Sequence, residues 1–164
     1  MAVFSNVIND WNLFHVFMAP WFWCSFLSWI VAQCIKLVRS ALKTGKIDFE
    51  YLVSTGGMPS AHSSMVTGTM ISVCLTEGFG SPVAMVTVAL AGVTMFDAAT
   101  VRRAAGEQAK VLNKIVQELK DTKKINASNL KELLGHTQKE VYGGMVTGAL
   151  VALTICYLWP WPLP

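Results

Sequence analysis

Gly56-Gly57-Met58-Pro59-Ser60-Ala61-His62-Ser63-Ser64 stands at the mouth of an apolar segment that runs to about residue 77. Two glycines leave backbone N–H groups bare. A proline is favoured at the first helical position, where its missing N–H is not needed, so the run predicts a loop turning into a helix at Pro59. The first turn of such a helix offers free N–H groups and the positive end of a dipole, a setting for an anion. His62 falls in that turn, where an imidazole can transfer a proton. A second histidine has a matching place, because Gly135-His136-Thr137-Gln138-Lys139-Glu140 precedes the apolar segment 141–158. On a helix His136 and Glu140 share a face at i,i+4, so the carboxylate can hold the imidazole in one tautomer and stabilise its cation. The free ring nitrogen is then a better nucleophile or base. Two histidines and an acid at the ends of membrane-length segments point to phosphate-ester chemistry at a membrane surface.

The rest of the chain supplies the membrane. At 164 residues it is expected to be a single domain, 1–164, and a hydrophobic fraction of 53% is too apolar for an ordinary soluble domain. Mean hydropathy is +0.46. Apolar segments near the roughly 20 residues needed to cross a bilayer fall at about 13–35, 60–77, 82–101 and 141–158. The expected fold is therefore all-α: a polytopic integral membrane bundle of about four transmembrane helices. Val101, Ala105, Ala109, Leu112, Ile115, Val116 and Leu119 keep helical spacing beyond the third segment, which predicts that this helix runs on into the cytoplasm. Asp121 to Ser128 reads as a polar break, followed by a short helix over 129–134. Nothing before Lys36 is basic, so the first segment lacks the n-region of a signal peptide and is read as retained. Trp21, Trp23, Trp29, Trp159 and Trp161 gather toward the first and last segments, as interfacial aromatics do.

Several chemistries are set aside by what the sequence contains. Cys24, Cys34, Cys74 and Cys156 lie in apolar segments without CxxC spacing and read as packing residues. There is no metal-ligand cluster, dinucleotide fingerprint or Walker A run, so neither metal nor cofactor is expected. A net charge of +3 is too small to suggest nucleic-acid binding, but its distribution is informative. All thirteen Lys and Arg lie between Lys36 and Lys139, on segments that four crossings would place on one side. By the positive-inside rule that side is cytoplasmic and both termini face out, which also puts His62 and His136 at the cytoplasmic face.

The phosphate-binding groups are less sharply marked. Ser60 can bind through its hydroxyl and Gly57 through backbone amides, whereas Ser63, Ser64 and Thr67 read mostly as small residues that let helices approach. Lys36 ends the first apolar run and either snorkels to the interface or reaches inward toward phosphate. Arg102 and Arg103 follow the third span; each is an anchor or, through its bidentate fork, a phosphate ligand. Asp97 is an interfacial charge out of helix phase with both, and Glu107, Gln108 and Asn113 form a polar group that reads as second layer or wet face. Lys43 and Lys46 read as solvated, and His15, among aromatics, as an interfacial histidine.

These residues resemble the phosphatidic acid phosphatase type 2 superfamily, whose site plan is shared with vanadium haloperoxidases. More closely, Ser54 to Ser63, Met95-Phe96-Asp97-Ala98, Val101-Arg102-Arg103, Gly106-Glu107-Gln108-Ala109 and Leu130 to His136 resemble its small divergent membrane branch, with the similarity extending from about Gln33 to Gly148. The resemblance implies that His62 protonates the leaving group, with Ala61 in place of the usual glycine. It implies His136 as nucleophile, forming a phosphohistidine that water hydrolyses, with Glu140 in place of the usual aspartate. Two features depart from the pattern. Lys36 is followed seven residues later by Lys43-Thr44 rather than Arg-Pro, and the arginine expected six residues before His136 is replaced by Leu130. The cations must then come from Lys36, Arg102 and Arg103.

The leading expectation is a metal-independent lipid-phosphate phosphatase in a bacterial inner membrane. Its partners would be membrane lipids and a lipid phosphate: phosphatidylglycerophosphate, phosphatidate or a polyprenyl phosphate. A homo-oligomer stays open. The alternative is a non-catalytic phospholipid-binding or assembly protein that retains the anion pocket.

Overall fold

The computed structural model describes residues 15–46, 57–121 and 137–158, with only the backbone of His15, Arg102 and Asp121. Every regular element among them is a helix: α1 (His15–Met18), α2 (Pro20–Thr44), α3 (Ala61–Glu77), α4 (Pro82–Ala99), α5 (Val101–Asp121) and α6 (Gln138–Leu158). The chain is a helical membrane bundle. Among the described residues three runs are long and apolar enough to cross a bilayer: Pro20–Thr44, Pro82–Lys120 and Gln138–Leu158. The 17-residue α3, about 25 Å long at 1.5 Å per residue, lies enclosed between α2, α4 and α6.

The bundle is apolar outside and small inside. Phe26, Val38 and Leu42 of α2, Val86, Val93 and Phe96 of α4, and Val146, Leu150 and Tyr157 of α6 are exposed. The buried positions are Cys24, Ser28 and Ala32 of α2, Ser64, Gly68 and Ser72 of α3, and Gly144, Gly148 and Ala152 of α6, each set at four-residue spacing. Lipid is as apolar as leucine, so helices in a bilayer gain little by hiding large side chains from it. They associate by close backbone approach, which small residues on i,i+4 ridges permit.

The approach is tight. A methyl group on Gly144 would strike the Ser60 carbonyl oxygen and lie 2.8 Å from Ser63 Cβ. One on Gly148 would strike the Ser64 carbonyl oxygen, and one on Gly68 the Ser28 hydroxyl. Ser64 Oγ donates to the Ser28 carbonyl at 2.8 Å, and Trp21 Nε1 donates to Thr76 Oγ1 at 2.6 Å. These pairs set α2 antiparallel to α3, while Ser60 against Gly144 and Ser64 against Gly148 set α3 and α6 in the same direction. The C-terminal end of α2 and the starts of α3 and α6 therefore meet at one end of the bundle.

Local chemistry explains the boundaries, and three differ from expectation. The first helix does not end near residue 35 but continues to Thr44, because nothing from Lys36 to Lys43 breaks it; Gly45, at φ 69°, closes it in the left-handed conformation, with its N–H on the Ala41 carbonyl at 2.8 Å. The next helix begins at Ala61 rather than Pro59, because Ser60 takes the N-cap and accepts from the Ser63 N–H at 3.3 Å. The last begins at Gln138, three residues ahead of the apolar segment expected from 141. The expected extension of the third helix is present: α5 follows α4 after Thr100 alone. The short helix expected over 129–134 lies outside the described residues.

Candidate functional site

Where α2 outruns its neighbours, a pocket of about 250 Å³ opens, lined by Lys36, Arg39, Ser40, Lys43, Thr44, Gly57, Met58 and Glu140. The five α2 residues follow the i, i+3, i+4, i+7, i+8 pattern of one helix face. Lys36 continues the ridge of Cys24, Ser28 and Ala32 and is only 4% exposed, whereas Arg39 and Lys43 are exposed. Lys36 and Glu140 are close enough for their charges to interact.

The opposite wall is fixed by the way α3 and α6 start. The Ser60 N–H donates to the Glu140 carbonyl at 2.9 Å, tying the two helix starts together. Gly143 lets Met58 lie against α6: a Cβ there would sit 3.0 Å from Met58 Cε. Gly57 has φ 90°, a left-handed backbone that favours glycine and turns the chain into the pocket wall. At the α6 start the Thr137 N–H donates to Glu140 Oε2 at 2.9 Å, and the Glu140 N–H approaches Thr137 Oγ1 at 3.4 Å. This is a capping box, Thr-x-x-Glu, with the carboxylate and hydroxyl satisfying opposite N–H groups.

The structure thus brings Lys36, Gly57 and Glu140 together. Ser60 stands just behind them, fully buried, its hydroxyl accepting from the Ser63 N–H and, at 3.0 Å, from the Ser63 hydroxyl. Its position is that of a cap holding the wall in place. His62 is half-buried in the first turn of α3. His136 lies outside the described residues, and Glu140 stands in the first turn of α6, which starts at Gln138.

The remaining expected residues stand elsewhere. Arg103, Glu107 and Gln108 are exposed on α5, where Glu107 pairs with Lys110 at 3.3 Å, and Asn113 is half-buried there. Among the described helices α5 packs on α4 alone, so these side chains do not reach the pocket. Asp97 is half-buried in the last turn of α4. Of Arg102 only the helical backbone is described. Two further cations that line the pocket come from α2: Arg39, which sequence reasoning passed over, and Lys43, read as solvated. Their signal was the three- and four-residue spacing from Lys36, which becomes visible once the helix is known to continue past the apolar run.

The fold defines an integral membrane protein, a small-residue helical bundle with a cation-lined pocket at one end. Residues 17–151 match the Divergent PAP2 family, and the chain belongs to it. It is 43% identical over 139 residues to the uncharacterized membrane protein YuiD of Bacillus subtilis (strain 168), an alignment covering 78% of this chain and 88% of that protein. No solved structure matches the chain.

Proposed function

We propose that this protein is a lipid-phosphate phosphatase whose head-group site is the pocket between α2, the Gly57–Ser60 segment and the start of α6. The observation that carries the reading is the buried Lys36 facing Glu140, with Arg39 and Lys43 above it, in a member of a PAP2-related family. Lys36 neutralises the equatorial oxygens of the transferring phosphoryl group, Gly57 adds backbone polarity, and Arg39 and Lys43 extend the positive field toward the mouth. Exposed Val38 and Leu42 on α2 offer the acyl or prenyl tail an apolar surface.

The chemistry is the one the resemblance implies. A ring nitrogen of His136 attacks phosphorus, the P–O ester bond breaks, and His62 gives its proton to the leaving alcohol. Water then attacks the phosphohistidine, losing a proton to His62, and inorganic phosphate departs as the P–N bond breaks. With the basic side cytoplasmic, the site faces the inner leaflet of a plasma membrane. Phosphatidylglycerophosphate, phosphatidate and polyprenyl phosphates all carry the required group.

One observation favours a second reading. The Glu140 carboxylate already accepts from the Thr137 N–H, so it has a structural task whether or not it orients a histidine. Under that reading the pocket binds an anionic lipid without turnover. Phosphate release from a panel of lipid phosphates by detergent-purified protein without added metal separates the two. Release abolished by both His136→Ala and His62→Ala supports the phosphatase; no release from any lipid by a folded protein leaves the binding protein.

A further inference from the structure

The pocket carries its charge in two tiers. Lys36 is buried and has Glu140 beside it, so that tier is close to neutral. Arg39 and Lys43 lie one and two turns further along α2, exposed, and no carboxylate other than Glu140 is among the described lining residues. From Lys36 to Lys43 the helix rises about 10.5 Å. A water takes up roughly 30 Å³ of liquid volume, so a pocket of about 250 Å³ has room for more than one phosphoryl group. Among the described residues Met58 is the one apolar side chain lining it, so the space suits a polar head group and leaves tails outside.

We infer that Arg39 and Lys43 form a second anion subsite, and that the preferred lipid carries two anionic phosphorus groups, one on Lys36 and the other on the Arg39–Lys43 pair. Two head groups share this chemistry: a phosphomonoester spaced from a phosphodiester, and a diphosphate. A single phosphomonoester, at about −1.5 to −2 near neutral pH, held by Lys36 would leave the outer pair with no anion among the described lining residues. Arg39 supplies a planar fork that grips two oxygens of one group, and Lys43 a mobile point charge on the same group. The inference rests on the lipid-phosphate reading for the nature of the ligand, while the subsite itself is read out by binding.

The test measures binding and turnover separately. Binding is measured on full-length His136→Ala protein in detergent micelles, by competition against radiolabelled phosphatidate. The competitors are chain-matched phosphatidylglycerophosphate and phosphatidate, and a prenyl diphosphate and monophosphate. Two-phosphorus lipids should bind about tenfold tighter, the equivalent of about 1.4 kcal/mol. Arg39→Gln and Lys43→Gln should each draw that ratio toward one, while Lys36→Gln should weaken both classes alike. Preference for the diphosphate only, or for the spaced pair only, supports the subsite and fixes the distance between its anions. Equal affinity for both classes, no binding by either, or a preference that survives both outer substitutions overturns it. Arg39 and Lys43 are exposed, so their substitution should leave the melting temperature in place, and Arg39→Lys should keep the charge while losing the fork. Phosphate release is followed in parallel on the unsubstituted chain. A preference without release would refute the phosphatase and keep the subsite; release without preference would do the reverse.

Discussion

Gly148→Ala tests the packing on which the pocket depends. The added methyl would meet the Ser64 carbonyl oxygen and would stand 3.0 Å from the Ser64 carbonyl carbon and 3.1 Å from the Gly68 nitrogen. Heavy atoms attract best at roughly 3.5–4.0 Å, so α3 and α6 must separate by about 0.5 Å or more at this level. All three contacts are backbone atoms, and no rotamer change can relieve them. One turn away, the Ser60 N–H to Glu140 carbonyl bond is 2.9 Å long; the same displacement takes it to about 3.4 Å, past the ordinary range. Overpacking costs about 1–3 kcal/mol and a weakened hydrogen bond up to about 1 kcal/mol, so the loss should be about 2–3 kcal/mol. That corresponds to a melting temperature lower by roughly 5–10 °C for a chain of this size. Thermal unfolding of detergent-purified protein, followed by size-exclusion recovery, measures it. Gly92→Ala on α4 is the control, because a Cβ there meets nothing within 4 Å. Equal melting temperatures for the two variants would refute the close α3–α6 approach.

Two further substitutions probe separate levels of the structure. Glu140→Gln preserves an acceptor for the Thr137 N–H, as a capping box allows, but leaves the buried Lys36 without the carboxylate beside it, so stability should fall by about 1–3 kcal/mol; lost turnover at a temperature where the variant is still folded would assign the carboxylate charge to chemistry, and intact turnover there would make Glu140 purely structural. Cys24 and Cys156 bring their sulfurs within 3.9 Å across α2 and α6, so mild oxidation of the chain carrying Cys34→Ser and Cys74→Ser should give an intramolecular cross-link found by mass spectrometry. Its absence would contradict the pairing of these two helices.

How much was legible depended on whether a residue's partner was local. The apolar segments could be placed from length alone, and the Ser63–Ser64 region was readable as small residues for packing, because composition carries that information. Helix boundaries were less accessible. The apolar run of α2 ends near residue 35, yet a helix stops at a cap rather than at a change of polarity, and the cap is Gly45. That displacement hid Arg39 and reduced Lys43 to a solvated charge. At α6 the i,i+4 pairing of His136 with Glu140 presumes a helix through both, while Thr137-x-x-Glu140 is a capping box at the start of that helix. The two motifs overlap from Thr137 to Glu140, and the spacing alone carried both.

The pocket follows from unequal helix lengths. α2 has 25 residues, against 17 in α3 and 21 in α6. Along its buried ridge, Cys24, Ser28 and Ala32 meet helices that approach closely. Lys36, the next residue on the ridge, meets instead the ends of those helices and the Gly57–Ser60 segment that leads into one of them. A small residue at Lys36 would extend the ridge; a lysine there places a charge on a surface otherwise built for backbone contact. Burying a cation without compensation is costly, and inside a membrane a lysine at a helix centre costs about 2.5–3.5 kcal/mol even on permissive scales. Glu140 offsets one charge, but the exposed Arg39 and Lys43 on the same face add two more. Packing gives no reason for three cations at this place. Under the proposed function an anion that enters from the membrane surface completes the charge balance, and the length by which α2 exceeds its neighbours sets how large that anion can be.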